Sequence, residues 1–133
     1  MILKTIIEII DKIKSVEFKE DFDTIVAIAR GGIIPAALIQ QKLSVDIEIL
    51  WINFRDDSQQ PQHDDPILMK PINFDYLDKR ILLVDDRCKT GKTLIKGIEL
   101  LKGARYVKTL VVNGKADYPL FDEECFTFPW KLV

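Results

Sequence analysis

Two short runs limit what this chain can fold into. Thr24–Ala29 (Thr-Ile-Val-Ala-Ile-Ala) is apolar without alternation and carries β-branched residues, and Arg80–Asp85 holds the unbroken run Ile81-Leu82-Leu83-Val84. A strand with one face in water alternates apolar and polar side chains, whereas a strand covered on both faces need not. Both runs therefore predict strands in the middle of a mainly parallel sheet, and parallel neighbours require crossover connections, usually helices.

The segments around these runs supply such helices. Ile2, Leu3, Ile6, Ile7, Ile10 and Ile13 recur at helical spacing, which predicts an amphipathic helix over 3–15. Gly31-Gly32 ends the first buried run, and 34–43 reads as a helix with Pro35 in its first turn, where proline is tolerated. Further strands are expected at 47–54, 67–70, 106–112 and 125–128, with a helix over 92–101. Strands alternate with helices, so the class is α/β with a mainly parallel sheet. At 133 residues the chain fits one domain, taken as 1–133.

Composition narrows the partners. Charged residues make up 30% of the chain and the net charge is −2, without the basic excess expected of a nucleic-acid binder. No apolar run approaches the ~20 residues that span a bilayer. The opening Met-Ile-Leu-Lys-Thr-Ile-Ile-Glu carries charges through its apolar stretch, unlike a signal peptide. A cytoplasmic protein without a membrane or nucleic-acid partner is expected, with Cys88 and Cys125 as free thiols. The stretch 55–66 (Arg-Asp-Asp-Ser-Gln-Gln-Pro-Gln-His-Asp-Asp-Pro) has no large apolar residue and reads as a mobile loop. Its His63 reads as a solvated loop residue.

The chemistry concentrates between 80 and 93, where the sequence is Arg-Ile-Leu-Leu-Val-Asp-Asp-Arg-Cys-Lys-Thr-Gly-Lys-Thr. Asp85 and Asp86 fall at the carboxyl end of a buried strand, where open α/β sheets place ligands. Thr90-Gly91-Lys92-Thr93 leads into a helix. Backbone N–H groups at a helix start, two hydroxyls and a glycine that permits close approach form an anion site. Separately, these are a loop start and a capped turn. Together they match a sugar phosphate, with carboxylates for ribose hydroxyls or a hydrated Mg²⁺ and amides for the phosphate. The nucleoside-triphosphate P-loop also ends in Gly-Lys-Thr, but its first glycine would fall at Asp86, where a carboxylate would repel the phosphates.

A hydrophobic run, two acids, three variable residues and Thr-Gly-x-Thr resembles the phosphoribosyl-pyrophosphate motif of type I phosphoribosyltransferases. Residues 25–38, with Arg30-Gly31-Gly32, look like the pyrophosphate-loop segment of the purine enzymes, and Phe128-Pro129-Trp130 is similar to the ending of the xanthine-guanine and hypoxanthine (6-oxopurine) branch. The resemblance covers most of the chain from residue 23 onward. It implies a parallel sheet flanked by helices with a small hood, 55–66 being the part that closes over the reaction. It also implies transfer of the phosphoribosyl group of phosphoribosyl pyrophosphate to a nucleobase, with Mg²⁺ as cofactor and a homodimer as the assembly.

Carried over by residue, the resemblance puts Arg30 and Gly31 on the pyrophosphate, and Asp85 and Asp86 on the ribose hydroxyls, directly or through Mg²⁺. It puts Thr90, Gly91, Lys92 and Thr93 around the 5′-phosphate. Lys115 would donate to the 6-oxo group of a purine, after a shift of about two residues against the family spacing. The position aligned with the family's stacking aromatic is Cys125, and Phe126 is one residue away. The pattern breaks at position 89, where the 6-oxopurine enzymes carry an aspartate and this chain has Lys89. Between Asp86 and a phosphate an ammonium stays protonated and acts as a donor, not as a base. Asp86, Lys89 and Arg30 are thus the residues expected closest to the chemistry. Two readings follow: a phosphoribosyltransferase acting on an oxopurine-like base, or a catalytically weak or inactive regulatory protein that binds phosphoribosyl pyrophosphate or a nucleotide.

Overall fold

The computed structural model describes residues 2–53, 65–88 and 90–132. Strand β1 (Ile2–Leu3) precedes helix α1 (Ile6–Ser15), followed by β2 (Thr24–Ala29), α2 (Ile33–Leu43), β3 (Asp46–Asn53) and β4 (Ile67–Leu68). Then come β5 (Arg80–Cys88), α3 (Lys92–Leu100), β6 (Tyr106–Gly114), β7 (Tyr118–Phe121) and β8 (Phe126–Thr127). Six strands form one sheet in the order β4-β3-β2-β5-β6-β7, and β1 pairs with β8 separately. Every pairing in the large sheet is parallel except β3 with β4.

The two unbroken apolar runs lie side by side as β2 and β5, in the register Thr24↔Ile81 to Ala27↔Val84. All six residues of β2 are buried. Alternate side chains serve two cores. Ile25, Ala27, Leu82 and Val84 pack with α1 and α2 through Ile9, Ile13, Ala36 and Ile39. Val26, Ile28, Ile81 and Leu83 pack with α3 through Leu94. Helices α2 and α3 therefore cover opposite faces. The connection from β2 leads to β3 on one side and the connection from β5 leads to β6 on the other, so the chain diverges between β2 and β5. Such a crevice at the carboxyl ends of the strands is where open α/β sheets bind ligands.

Several boundaries depart from the expectations. The first helix begins at Ile6, because Thr5 forms a capping box with Glu8. Ile2 and Leu3 are paired with Phe126 and Thr127 instead of extending the helix. β5 runs three residues beyond Asp85, pairing Arg87 with Asn113 and Cys88 with Gly114. Strand β7 was not anticipated. It lies parallel to β6 although only residues 115–117 separate them, far fewer than the dozen or more that usually join parallel strands. Gly114, at φ 141°, turns the chain in a region closed to side-chain-bearing residues. The Asp117 carboxylate then accepts from both the backbone N–H and the hydroxyl of Thr109, and the Asp117 N–H donates to that hydroxyl. Of the acidic loop expected over 55–66, residues 55–64 lie outside the described residues.

Among the described residues no helix is long and apolar enough to cross a membrane. Two polar ties, one half-buried and one largely exposed, close the sheet's far end and its flank. Arg80 at the start of β5 donates to both carboxylate oxygens of Asp23, at 2.7 and 3.1 Å. Lys42 on α2 donates to the carbonyls of Ile13 and Lys14 at 2.9 and 3.0 Å, and to that of Val16.

Candidate functional site

Two loops meet at the divergence between β2 and β5. The first leaves β2 through Arg30-Gly31-Gly32 into α2, after a cis Ala29–Arg30 peptide bond. The second carries Asp85 and Asp86 on β5. Close contacts explain glycine at both loop positions, with a side chain facing Gly31 and backbone facing Gly32. A Cβ on Gly31 would stand 2.4 Å from Cγ and Oδ1 of Asp86 and 2.6 Å from Oδ2. A Cβ on Gly32 would stand 2.2 Å from the carbonyl oxygen of Val84. The backbone of this loop thus lies directly against Asp86, although Gly31 and Asp86 are 55 positions apart in the chain.

The two carboxylates have different surroundings. Asp85 is 7% exposed, and one of its oxygens accepts the Asp86 N–H at 2.8 Å. Burial, and after it the charge of Asp86, holds the Asp85 carboxyl well above the usual carboxylate range; the Asp86 N–H and the positive charge of Lys131 oppose that rise only in part. Asp86 is half-buried and faces the Gly31 backbone. Asp85 is therefore the inner, supporting acid and Asp86 the outer one. Among the described residues no group of three or more His, Cys, Asp or Glu side chains gathers to form a protein-only metal cage. The adjacent carboxylates, one facing outward, suit Mg²⁺, which keeps water and binds through one or two carboxylates together with substrate oxygens.

The segment that follows has the geometry of a helix start open to an anion. Gly91 is the N-cap of α3 at φ 79°, and it makes no side-chain capping bond of its own. The Thr90 hydroxyl accepts the Lys92 N–H at 3.3 Å. Thr90 and Lys92 are exposed, and Gly91 and Thr93 are half-buried. The first turn of α3 contains no acidic residue, so no carboxylate competes for the positive end of the helix dipole. Arg30 is exposed at the mouth of β2. Lys89 lies outside the described residues.

The base-side expectations fare differently. Lys115 lies just past β6 and is exposed, with its ammonium 3.0 Å from the Asp122 carboxylate. Phe126 is a correction. It is 1% exposed and its ring meets those of Phe121 and Phe128 edge-on. Packing on both sides leaves no open face to stack on a base. Cys125 is exposed and free. Sequence reasoning passed over Asn113. It is 4% exposed, near the end of β6, and joined to the chain at Glu123 and Glu124. A lone amide closing the apolar run Leu-Val-Val-Asn was the available signal.

Comparisons with known proteins agree with this geometry. The phosphoribosyl transferase domain family matches residues 1–132. The chain is 30% identical over 122 residues to the xanthine-guanine phosphoribosyltransferase of Idiomarina loihiensis, covering 85% of this chain and 73% of that one. It is 34% identical over 115 residues to the orotate phosphoribosyltransferase of Sulfurisphaera tokodaii, covering 85% of this chain but 52% of that one. The purine phosphoribosyltransferase from Pyrococcus horikoshii superposes with a TM-score of 0.81 at 29% identity, covering 99% of this chain and 95% of that one. With two buried strands diverging at an acidic pair, a glycine loop laid against it and a glycine-capped helix start beside it, the chain belongs to the phosphoribosyltransferase domain family, near its 6-oxopurine branch.

Proposed function

We propose that this protein transfers the phosphoribosyl group of phosphoribosyl pyrophosphate to a nucleobase, a 6-oxopurine by preference, and releases pyrophosphate. The observation that carries the reading is the contact between the Gly31 backbone and the Asp86 carboxylate. It brings a loop suited to a polyanion beside an acid suited to ribose hydroxyls. Substrate with both groups on one sugar would bridge the two.

In the reaction the C1–oxygen bond to pyrophosphate breaks, a bond from C1 to a base nitrogen forms, and the proton of that nitrogen leaves to the departing pyrophosphate or to water. The sugar develops positive charge and the leaving group negative charge, so fixed donors and acceptors supply the stabilisation. Arg30 and the amide of Gly31 hold the departing pyrophosphate, while the Gly32 N–H is held by the Ile28 carbonyl at 2.8 Å. Asp86, backed by Asp85, accepts from the ribose hydroxyls and orients the ring. Thr90, Gly91, Lys92 and Thr93 hold the 5′-phosphate through hydroxyls and amides at the helix start. Mg²⁺, held by Asp86 and Asp85 directly or through water, would neutralise the polyphosphate. Lys115 donates to the 6-oxo group, which favours hypoxanthine, guanine or xanthine over adenine. Lys89 contributes a donor beside the base in place of a general base. Residues 1–133 acting as one unit, a homodimer and a cytoplasmic setting complete the proposal, on the strength of the family resemblance.

The test is pyrophosphate release from phosphoribosyl pyrophosphate with hypoxanthine, guanine, xanthine, adenine and orotate in turn. Release with an oxopurine and none with adenine is expected. Asp86→Asn should weaken phosphoribosyl pyrophosphate roughly tenfold, the scale of one lost charge-assisted hydrogen bond. Tight binding of that substrate with no turnover on any base would sink the enzyme reading in favour of a regulatory binding protein.

A further inference from the structure

We propose that Asn113 is a positioning residue for the nucleobase, holding the Asp122–Cys125 segment and, through Asp122, the ammonium of Lys115. The inference rests on the phosphoribosyltransferase reading and deepens it. Asn113 lies two residues beyond Val111, the register partner of Asp85. Strand geometry therefore puts it roughly 5 Å sideways and about 7 Å further along the sheet from Asp85, at the site end. Side chains two apart on a strand share a face, so Asn113 is on the side of Val111 and Asp85.

Both ends of its amide are engaged with one segment. The Asn113 carbonyl oxygen accepts the Glu123 N–H at 3.0 Å, and its NH₂ group donates to the Glu124 carbonyl at 3.3 Å. Both partners belong to the stretch between β7 and β8, which otherwise exposes all four of its side chains, Asp122 to Cys125. The neighbouring turn, 115–117, is fixed separately by the Thr109–Asp117 bonds. The Lys115–Asp122 ion pair at 3.0 Å joins the two stretches. An exposed ion pair holds little by itself, so its location depends on what anchors each end. Asn113 anchors the backbone of the Asp122 end, while the Lys4 ammonium holds the Glu123 carboxylate of the same segment at 2.6 Å.

A paired ammonium and carboxylate also has a recognisable ligand. The lactam edge of a 6-oxopurine presents a carbonyl acceptor next to an N–H donor. Lys115 and Asp122 offer the complementary donor and acceptor, while the amidine edge of adenine presents the reverse order. Asn113 thus sets where that edge is read without touching it.

The experiment is calorimetric binding of guanosine 5′-monophosphate and of ribose 5-phosphate, which lacks the base, to wild type, Asn113→Ala, Asn113→Asp and Asp23→Asn. Wild type should bind the nucleotide more tightly. Asn113→Ala should lose roughly tenfold on the nucleotide and leave ribose 5-phosphate unchanged. Asn113→Asp keeps the acceptor for Glu123 and should recover part of the loss. Asp23→Asn, a lesion at the other end of the sheet, should change neither. Equal loss of both ligands in Asn113→Ala would show a general structural role and overturn the proposal. A wild type that binds both ligands equally would overturn it while leaving the sugar-phosphate site standing. A wild type that binds neither would overturn the phosphoribosyltransferase reading itself, and this inference with it.

Discussion

Gly31→Ala separates the chemistry from the fold. The added Cβ would stand 2.4 Å from the Asp86 carboxylate, while ordinary contact begins at 3.4 Å, so either the carboxylate or the loop must give by about 1 Å. Gly31 has no positive φ, so alanine brings no backbone strain. Its stiffer unfolded chain should return about 0.4–1 kcal/mol of stability. The steric cost falls on a half-buried side chain that can swing, about 1 kcal/mol. Net stability should therefore change little. Activity should not survive as well, because a displacement of about 1 Å at reacting groups costs roughly 100-fold. Gly32→Ala is the contrast. Its Cβ would meet the Val84 backbone oxygen at 2.2 Å, inside a buried strand that cannot rotate away. It should destabilise by about 3 kcal/mol or more. Pyrophosphate release and urea denaturation on both variants decide the matter. If Gly31→Ala keeps kcat/KM within about threefold of wild type, against the 100-fold expected, the Gly31–Asp86 contact is packing and not the working geometry.

Other perturbations probe separate parts of the molecule. Asp23→Asn removes a carboxylate that the Arg80 guanidinium holds well below its ordinary range. A depressed carboxylate stabilises above its unfolded pKa and loses that contribution as pH falls through the folded one. The variant should thus be less stable than wild type at pH 7, and the gap should close progressively below about pH 4; a pH-independent gap in thermal melts would refute the linkage. Lys42→Met removes the donor to three carbonyls at the end of α1 and should cost about 1 kcal/mol in urea denaturation. Lys89→Asp installs the acid found in the oxopurine enzymes and should raise turnover of hypoxanthine or guanine by roughly 100-fold, the lower range for a general base. No gain would mean that the pocket is adapted to another substrate.

Much of the frame was readable because it depends on local pattern. The unbroken run Thr24–Ala29 could only be a doubly covered strand, and it forms β2 with those bounds. Asp85-Asp86 and Thr90–Thr93 announced themselves through spacing along one strand–helix unit. What depended on contacts between distant segments did not show. By its own composition Gly31-Gly32 read as punctuation, and only the family resemblance put Gly31 on the pyrophosphate; the approach of Asp86 and Val84 from another strand is what the pair accommodates. β7 was hidden because its Pro119 reads as a strand breaker and a three-residue link does not suggest a parallel neighbour. Register counting put the stacking position at Cys125 and offered Phe126 only as its aromatic neighbour, and packing against Phe121 and Phe128 puts Phe126 in the core.

The Gly31–Asp86 contact also bears on how the molecule folds. Neither βα unit holds a complete site, and the two halves must close a loop of 55 residues before they meet. Such closure carries an entropy cost that grows slowly with length, and non-local pairing of this kind forms late and slows folding. A fragment ending before β5 would have no affinity for sugar phosphate. Ligand would bind only chains that have completed the β2–β5 pairing, and would stabilise them by mass action, about 2.7 kcal/mol at a hundred times its Kd. Substrate supply would then govern how long this small protein survives proteolysis, as well as how fast it turns over.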